Sequence, residues 1–196
     1  MASTTVSHID LSTFTGPLTL SDKWYEYTLY MDHNRLTIDV KCSARNRYIT
    51  KARAINISIP DGIDYAINFQ RCFEGYRFIR DLSELSSLDS SKIICTELMF
   101  AGLWSLKDIS PLSSWDVSKV NNMSGMFWKC NELINLTPLS SWEVPEDCNL
   151  SGFYSRWGHN DGYTDRPPLP WGEPGRRYNR QLAPEWIIEK YMNQRH

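Results

Sequence analysis

The sequence predicts an α+β protein centred on a short solenoid of three to four 27-residue repeats, capped by an N-terminal antiparallel β-hairpin or small sheet and by a C-terminal extended strap plus helix. Three observations predict it. PLSSW is written at Pro111 and again at Pro138. Runs of strand-forming residues precede the repeat, and a stretch crowded with Gly, Pro and Arg follows it. The expected divisions are 1–54 for the β cap, 55–157 for the repeats, 158–182 for the strap and 183–196 for the helix.

In the first segment KWYEYTLYM and RLTIDVKC flank Asp32, His33 and Asn34, which reads as a hairpin. Leu36, Ile38 and Val40 alternate toward one face, as do Ile55, Ile57 and Ile59 in a third candidate strand. The sheet either caps the open end of the solenoid or is itself a docking surface exposing Trp24, Tyr25, Tyr27 and Tyr30.

The repeats align without a gap. DLSELSSLDSSKIICTELMFAGL from Asp81 falls on DISPLSSWDVSKVNNMSGMFWKC from Asp108 and on NLTPLSSWEVPEDCNLSGFYSRW from Asn135. The columns Leu82/Ile109/Leu136, Leu85/Leu112/Leu139, Leu88/Trp115/Trp142, Met99/Met126/Phe153 and Phe100/Phe127/Tyr154 are apolar throughout. A degenerate fourth copy, INFQRCFEGYRFIRDL, starts at Ile67. Within a copy, apolar residues recur at i, i+3, i+4 and i+7, as at Met123, Met126, Phe127 and Cys130, which predicts about two helical or 3₁₀ turns. A short extended piece such as LKDISPL follows, with Ser, Asp and Asn at the corners. One such unit cannot bury its apolar face alone, so copies must stack. The period lies in the leucine-rich-repeat range of roughly 20 to 29 residues, making the solenoid leucine-rich-repeat-like.

The pattern SSWDVSKVNNMSGMFWKCNEL resembles the lipoprotein-repeat variety of BspA-like leucine-rich repeats, whose signature is W-D-x-S-x-V-x-x-M-x-x-M-F-x-x-C-x-x-L. Its positions here are Trp115, Asp116, Ser118, Val120, Met123, Met126, Phe127, Cys130 and Leu133. ISIPDGIDYAINFQRCFEG, from Ile57, is similar to the commoner BspA-like form, and the resemblance covers about residues 55–157. It implies a non-enzymatic binding scaffold, in a family often found on secreted surface proteins. The third copy departs from the pattern, with Asp147 in the column of Ile93 and Val120 and Asn160 in the column of Leu106 and Leu133. A polar residue in a stacked column is costly, so the solenoid is expected to end here and be capped by the tail.

In the tail, RPPLPW favours polyproline II, either as a ligand for a proline-reading domain or as a strap carrying Trp171 over its own protein. PEWIIEKYMNQRH, with Pro184 in a first turn, predicts the terminal helix.

Composition bounds the function. Of 196 residues 41% are hydrophobic and 22% charged, which argues against wholesale disorder. No apolar run approaches the roughly 18 residues of a membrane span, and MASTTVSHIDLSTFTG has neither a basic nor an apolar signal region, so a cytoplasmic protein without membrane contact is expected. The five cysteines form no CxxC pair and read as buried thiols, with no metal and no cofactor expected. The sequons at Asn56, Asn122, Asn135 and Asn149 read as part of the repeat rather than as glycosylation sites. Residues 81–155 hold ten acidic and four basic side chains, the reverse of a nucleic-acid-binding stripe, so direct nucleic-acid binding is not expected.

No P-loop, G-x-G-x-x-G or G-x-S-x-G motif occurs, and the protein reads as no enzyme. The expected function is that of an intracellular interaction module that binds and inhibits a partner protein, such as a phage or mobile-element inhibitor of a host defence complex, anti-CRISPR-like in character. Trp104 and Trp128 break the column rules and are either anchors for the partner or residues packed under the flanks. The acidic column Asp89/Asp116/Glu143 either favours a basic partner, for instance a nucleic-acid-binding protein, or caps turns. Trp171, Arg176 and Arg177 complete the candidate partner-binding set, with no catalytic residue. The rival classes are a surface-adhesion or virion structural fragment and an enzyme using His159 and Asp161. Self-association through open solenoid edges is a further alternative.

Overall fold

Alternating strand residues on either side of His33-Asn34 build the hairpin that the sequence predicts. The computed structural model describes residues 4–5, 14, 16–44, 48–55, 57–59 and 61–155. Its strands are β1 (Thr4–Thr5), β2 (Leu18–Ser21), β3 (Tyr25–Asp32), β4 (Arg35–Cys42), β5 (Ile57–Ser58), β6 (Tyr65–Asn68), β7 (Ile93–Cys95), β8 (Phe127–Trp128) and β9 (Tyr154–Ser155). His33 and Asn34 have φ of 47° and 68°, the left-handed pair that a two-residue hairpin turn uses to match strand twist. Tyr25, Tyr27 and Leu29 of β3 face Leu36, Ile38 and Val40 of β4 in the core.

The sheet corrects the expectation of a separate antiparallel cap. Five strands run in the order β2-β3-β4-β6-β7, and β4, β6 and β7 are parallel. The Ile55–Ile59 stretch is not the third strand. Its Ile57–Ser58 pairs with Thr4–Thr5 in a two-stranded piece, and the open edge of β4 is taken by Tyr65–Asn68. β6 holds that edge through an apolar centre, since both Ala66 and Ile67 are buried. The docking-surface alternative also fails for two of its four aromatics. Tyr25 and Tyr27 are buried, their hydroxyls donating to the Arg53 carbonyl at 2.5 Å and to Asp22 Oδ2 at 3.0 Å. Burial raises both phenol pKa values.

From β7 onward the parallel ladder continues in single bridges, Cys95 to Asn122 and Asn122 to Asn149, and then as β8 paired with β9. Each step advances 27 residues. Backbone bonds cross from turn to turn: Phe73 N–H to the Met99 carbonyl at 2.9 Å, Phe100 to Met126 at 3.0 Å, and Phe127 to Phe153 at 2.7 Å.

The i, i+3, i+4 spacing does not mark a helix. No α-helix occurs among the described residues, and residues 97–102 are consecutive turns. Each turn closes with an i to i+3 bond, as from Met99 N–H to the Thr96 carbonyl at 3.1 Å and Met126 to Met123 at 3.2 Å. Apolar residues three apart are therefore the two ends of one turn. The chain cannot continue helically because left-handed residues recur at fixed places. Arg71, Leu98, Gly125 and Gly152 have φ of 60°, 53°, 62° and 61°, and Gly75, Gly102 and Lys129 have 77°, 73° and 59°. Both sets step by 27. Three 3₁₀ pieces, Ser83–Ser87, Ser110–Leu112 and Thr137–Leu139, lie instead wholly or partly where extended chain was expected, with Pro111 and Pro138 in the first turn of the last two, and a fourth follows the first at Ser90–Lys92.

PLSSW acquires a role here. The indole N–H of Trp115 donates to the Leu85 carbonyl at 3.2 Å, and that of Trp142 to the Leu112 carbonyl at 2.9 Å, each Trp reaching the turn before its own. Inside, Phe73, Phe100 and Phe127 stack with centroids 5.7 and 5.5 Å apart, and Tyr25 and Phe153 close the two ends edge-on. Burying each phenyl ring contributes about 1.5–3 kcal/mol. Asp147 is exposed, while Ile93 and Val120 in the same column are buried. Asn160, the strap 158–182 and the helix 183–196 lie outside the described residues.

Candidate functional site

The columns that close the core also decide what reaches the surface. Counting on from buried Phe127, residue 128 is turned outward, and Trp128 is 41% exposed with the Lys129 ammonium 3.9 Å from its ring centroid. The preceding turn holds Ala101 at this position, and it is buried. Gly125, one turn earlier in the chain, leaves room for Leu98: a Cβ at Gly125 would lie 2.5 Å from Leu98 Cδ2 and 3.7 Å from Trp128 Cβ.

Trp104 belongs to the column Arg77/Trp104/Asn131, and it is half-buried. The Arg77 guanidinium sits 4.2 Å from its ring centroid, a cation on an aromatic face worth about 0.5–1 kcal/mol near a surface. Trp104 also lines a pocket of about 680 Å³ with Arg80, Ser105, Lys107, Asp108, Asn131 and Glu132. Adjacent columns supply this lining, with Arg80/Lys107, Ser105/Glu132 and Trp104/Asn131 on successive turns. Lys107 Nζ lies 3.4 Å from Glu132. Asp108 accepts the Ser110 backbone N–H at 2.8 Å and its hydroxyl at 3.0 Å. Beside the pocket, exposed Phe78 stacks on exposed Tyr48 at 5.1 Å, and Ile134, in the Arg80/Lys107 column, is 67% exposed.

The acidic column divides. Asp89 accepts the Ser91 N–H at 3.1 Å and Asp116 the Ser118 N–H at 2.9 Å, so both close their own turns. Hydrogen bonds from the Ser118 side chain and backbone hold the Asp116 carboxyl below its ordinary pKa. At Glu143 the residue two further on is Pro145, which has no N–H to offer, and Glu143 is exposed. Trp171, Arg176, Arg177, His159 and Asp161 lie outside the described residues.

Burial pushes the Cys72 and Cys130 thiols up, and Cys130 Sγ donates to the Phe100 carbonyl at 3.2 Å, so both pack as core groups. Among the described residues no cluster of three His, Cys, Asp or Glu is placed to hold a metal. No helix there is long and apolar enough to cross a membrane.

Sequence reasoning singled out Trp104 and Trp128 and missed Arg77, Phe78, Arg80 and Lys107. For Arg80 and Lys107 a signal was readable in the alignment, because they share a column and like charges on neighbouring turns of a ladder are unfavourable without a counter-charge; the columns of Arg77 and Phe78 carried none. Tyr48 had no such signal, lying outside the repeats.

No curated protein and no solved structure matches this chain. Residues 64–160, the stretch that holds every repeat column described above, match the model of a family described as "Mycoplasma protein of unknown function, DUF285", which falls in the BspA-like and Mycoplasma repeat group.

Proposed function

We propose that the protein is a non-enzymatic binding scaffold, a short leucine-rich-repeat-like solenoid of three to four turns that grips a partner protein along its Trp104 and Trp128 edge. The observation that carries this reading is the contrast within the stack. Met99, Phe100, Met126 and Phe127 are wholly buried, yet Trp128 is 41% exposed beside them. Tryptophan left at the surface of a well-closed core is the residue type that most often anchors a protein interface. The 27-residue hydrogen-bonded steps and the two left-handed columns support the solenoid part of the proposal. Occupying a partner's surface is one way to block it, and the intracellular inhibitor role is part of the same proposal.

The test is site-specific photo-crosslinking in native host cells, with benzoylphenylalanine placed at Trp128, at Trp104 and, as a control, at Ser141. One protein is expected to be captured from 128 and 104 but not from 141. Equal capture from all three positions, or none from 128 and 104, would refute the reading.

A further inference from the structure

The proposed binding edge carries more positive than negative charge, with Arg77, Arg80 and Lys107 beside Asp108 and Glu132. Around the pocket, Lys107 is paired with Glu132 and Asp108 is committed to Ser110. The Arg80 guanidinium has no carboxylate partner among the described residues, although its backbone N–H is bonded to the Thr50 carbonyl at 3.0 Å. Arg77, three residues earlier, lies on Trp104 and likewise meets no carboxylate there. The same edge presents Phe78 stacked on Tyr48, and Ile134. By contrast, the acidic side chains Asp89 and Asp116 are occupied in closing turns.

Resting on the binding reading above, we propose that the Arg77–Arg80–Trp104 edge receives an acidic segment of the partner protein, with an Asp or Glu carboxylate on Arg80 and an aromatic or aliphatic residue against Trp104 and Phe78. This reverses the expectation of a basic partner. Arginine suits the role because its planar fork matches a carboxylate while its face still stacks on an indole.

A random dodecapeptide library displayed on phage, selected against the full-length protein, tests this directly. Enriched peptides are expected to carry two or more Asp or Glu close to an aromatic or leucine. Their binding is expected to fall about tenfold or more on Arg80→Glu and on Trp104→Ala. Lys119→Glu, the same change of charge on an exposed residue away from the edge, should leave binding within about twofold. Circular dichroism melting would establish that each variant is folded, and Arg80→Lys, which keeps the charge and loses the fork, should give an intermediate loss.

Enrichment of basic or uncharged peptides, or of acidic ones indifferent to Arg80→Glu, would overturn the inference. So would an oligothymidylate 20-mer that binds more tightly than the selected peptides and depends on Arg80, since that would make the edge a nucleic-acid site. If crosslinking from Trp128 persists in any of these cases, the binding reading survives and only the acidic-partner inference falls. A failure to enrich any peptide would overturn the inference as well.

Discussion

The hairpin β3-β4 and the turns that follow it solve the same problem, satisfying backbone groups around a buried core, in opposite ways. In the hairpin, eight residue pairs lie in antiparallel register, and along β3 burial falls on every second residue from Tyr25 to Leu29. In the stack each turn takes part of its hydrogen bonds from a turn 26 to 28 residues away, and the chain must pass twice per turn through a left-handed conformation. The hairpin is locally specified and tolerant; the stack is specified by its columns. Side chains that obey a column make core, and those that break one, such as Trp104 and Trp128, become surface.

If that difference is real, damage in a column should cost the most. Phe100 touches both Phe73 and Phe127, so Phe100→Ala should destabilise by about 3–5 kcal/mol in urea denaturation. A cost near that of an exposed-residue change would break the comparison. Gly125→Ala should follow, at about 2–4 kcal/mol, because φ of 62° disfavours any Cβ and the new atom meets Leu98 at 2.5 Å. Adding Leu98→Ala should recover the part due to the clash, so a double-mutant cycle should be non-additive. Trp142→Phe keeps the apolar body and removes the N–H to the Leu112 carbonyl, which still accepts the Trp115 backbone N–H at 3.1 Å, so the cost should be that of one hydrogen bond, about 0.5–1.5 kcal/mol.

A smaller effect is expected at the joint between the two regions. Glu84 accepts the Ala54 N–H at 2.9 Å and pairs with Lys51 and Arg53, while Asp81 accepts the Ser83 N–H and pairs with Lys51. These bonds, led by the backbone N–H in each case, lower both carboxyl pKa values. Because the folded pKa values are depressed, the stabilisation is present above the ordinary carboxylate range and is lost as pH falls through the folded values. Denaturation at pH 7 and in that acid range should register the loss, and Glu84→Gln should reduce it. In the hairpin, Asn34→Gly should change stability least, by a gain below about 1 kcal/mol, since glycine adopts the left-handed turn freely.

Much of this was legible in the sequence. The β-hairpin follows from alternation and the His33-Asn34 turn. The apolar columns follow from the 27-residue shift, and apart from half-buried Leu88 they are buried as a shared period requires. What the period could not say was which local structure repeats. Spacing of three and four residues fits a helix and a chain of i to i+3 turns equally, and only backbone angles at Arg71, Leu98 and Lys129 separate them. Nor could alternation reveal that Tyr65–Asn68, rather than Ile55–Ile59, takes the edge of β4, because that choice depends on the ladder it must continue. At the candidate site the tryptophans announced themselves as column breakers. Arg80 showed only as a like charge in one column with Lys107, and that Lys107 rather than Arg80 takes Glu132 is visible only in the structure.

Inserting a second copy of residues 108–134 after Ile134 tests the central claim most directly, because an added turn should find the same columns above and below it. The elongated protein is expected to unfold in a single cooperative urea transition, steeper than that of the natural chain because more surface is exposed, with its midpoint undiminished. An unfolded product, or one whose midpoint falls while the slope stays the same, would contradict the view that these 27-residue turns are interchangeable rungs of one ladder.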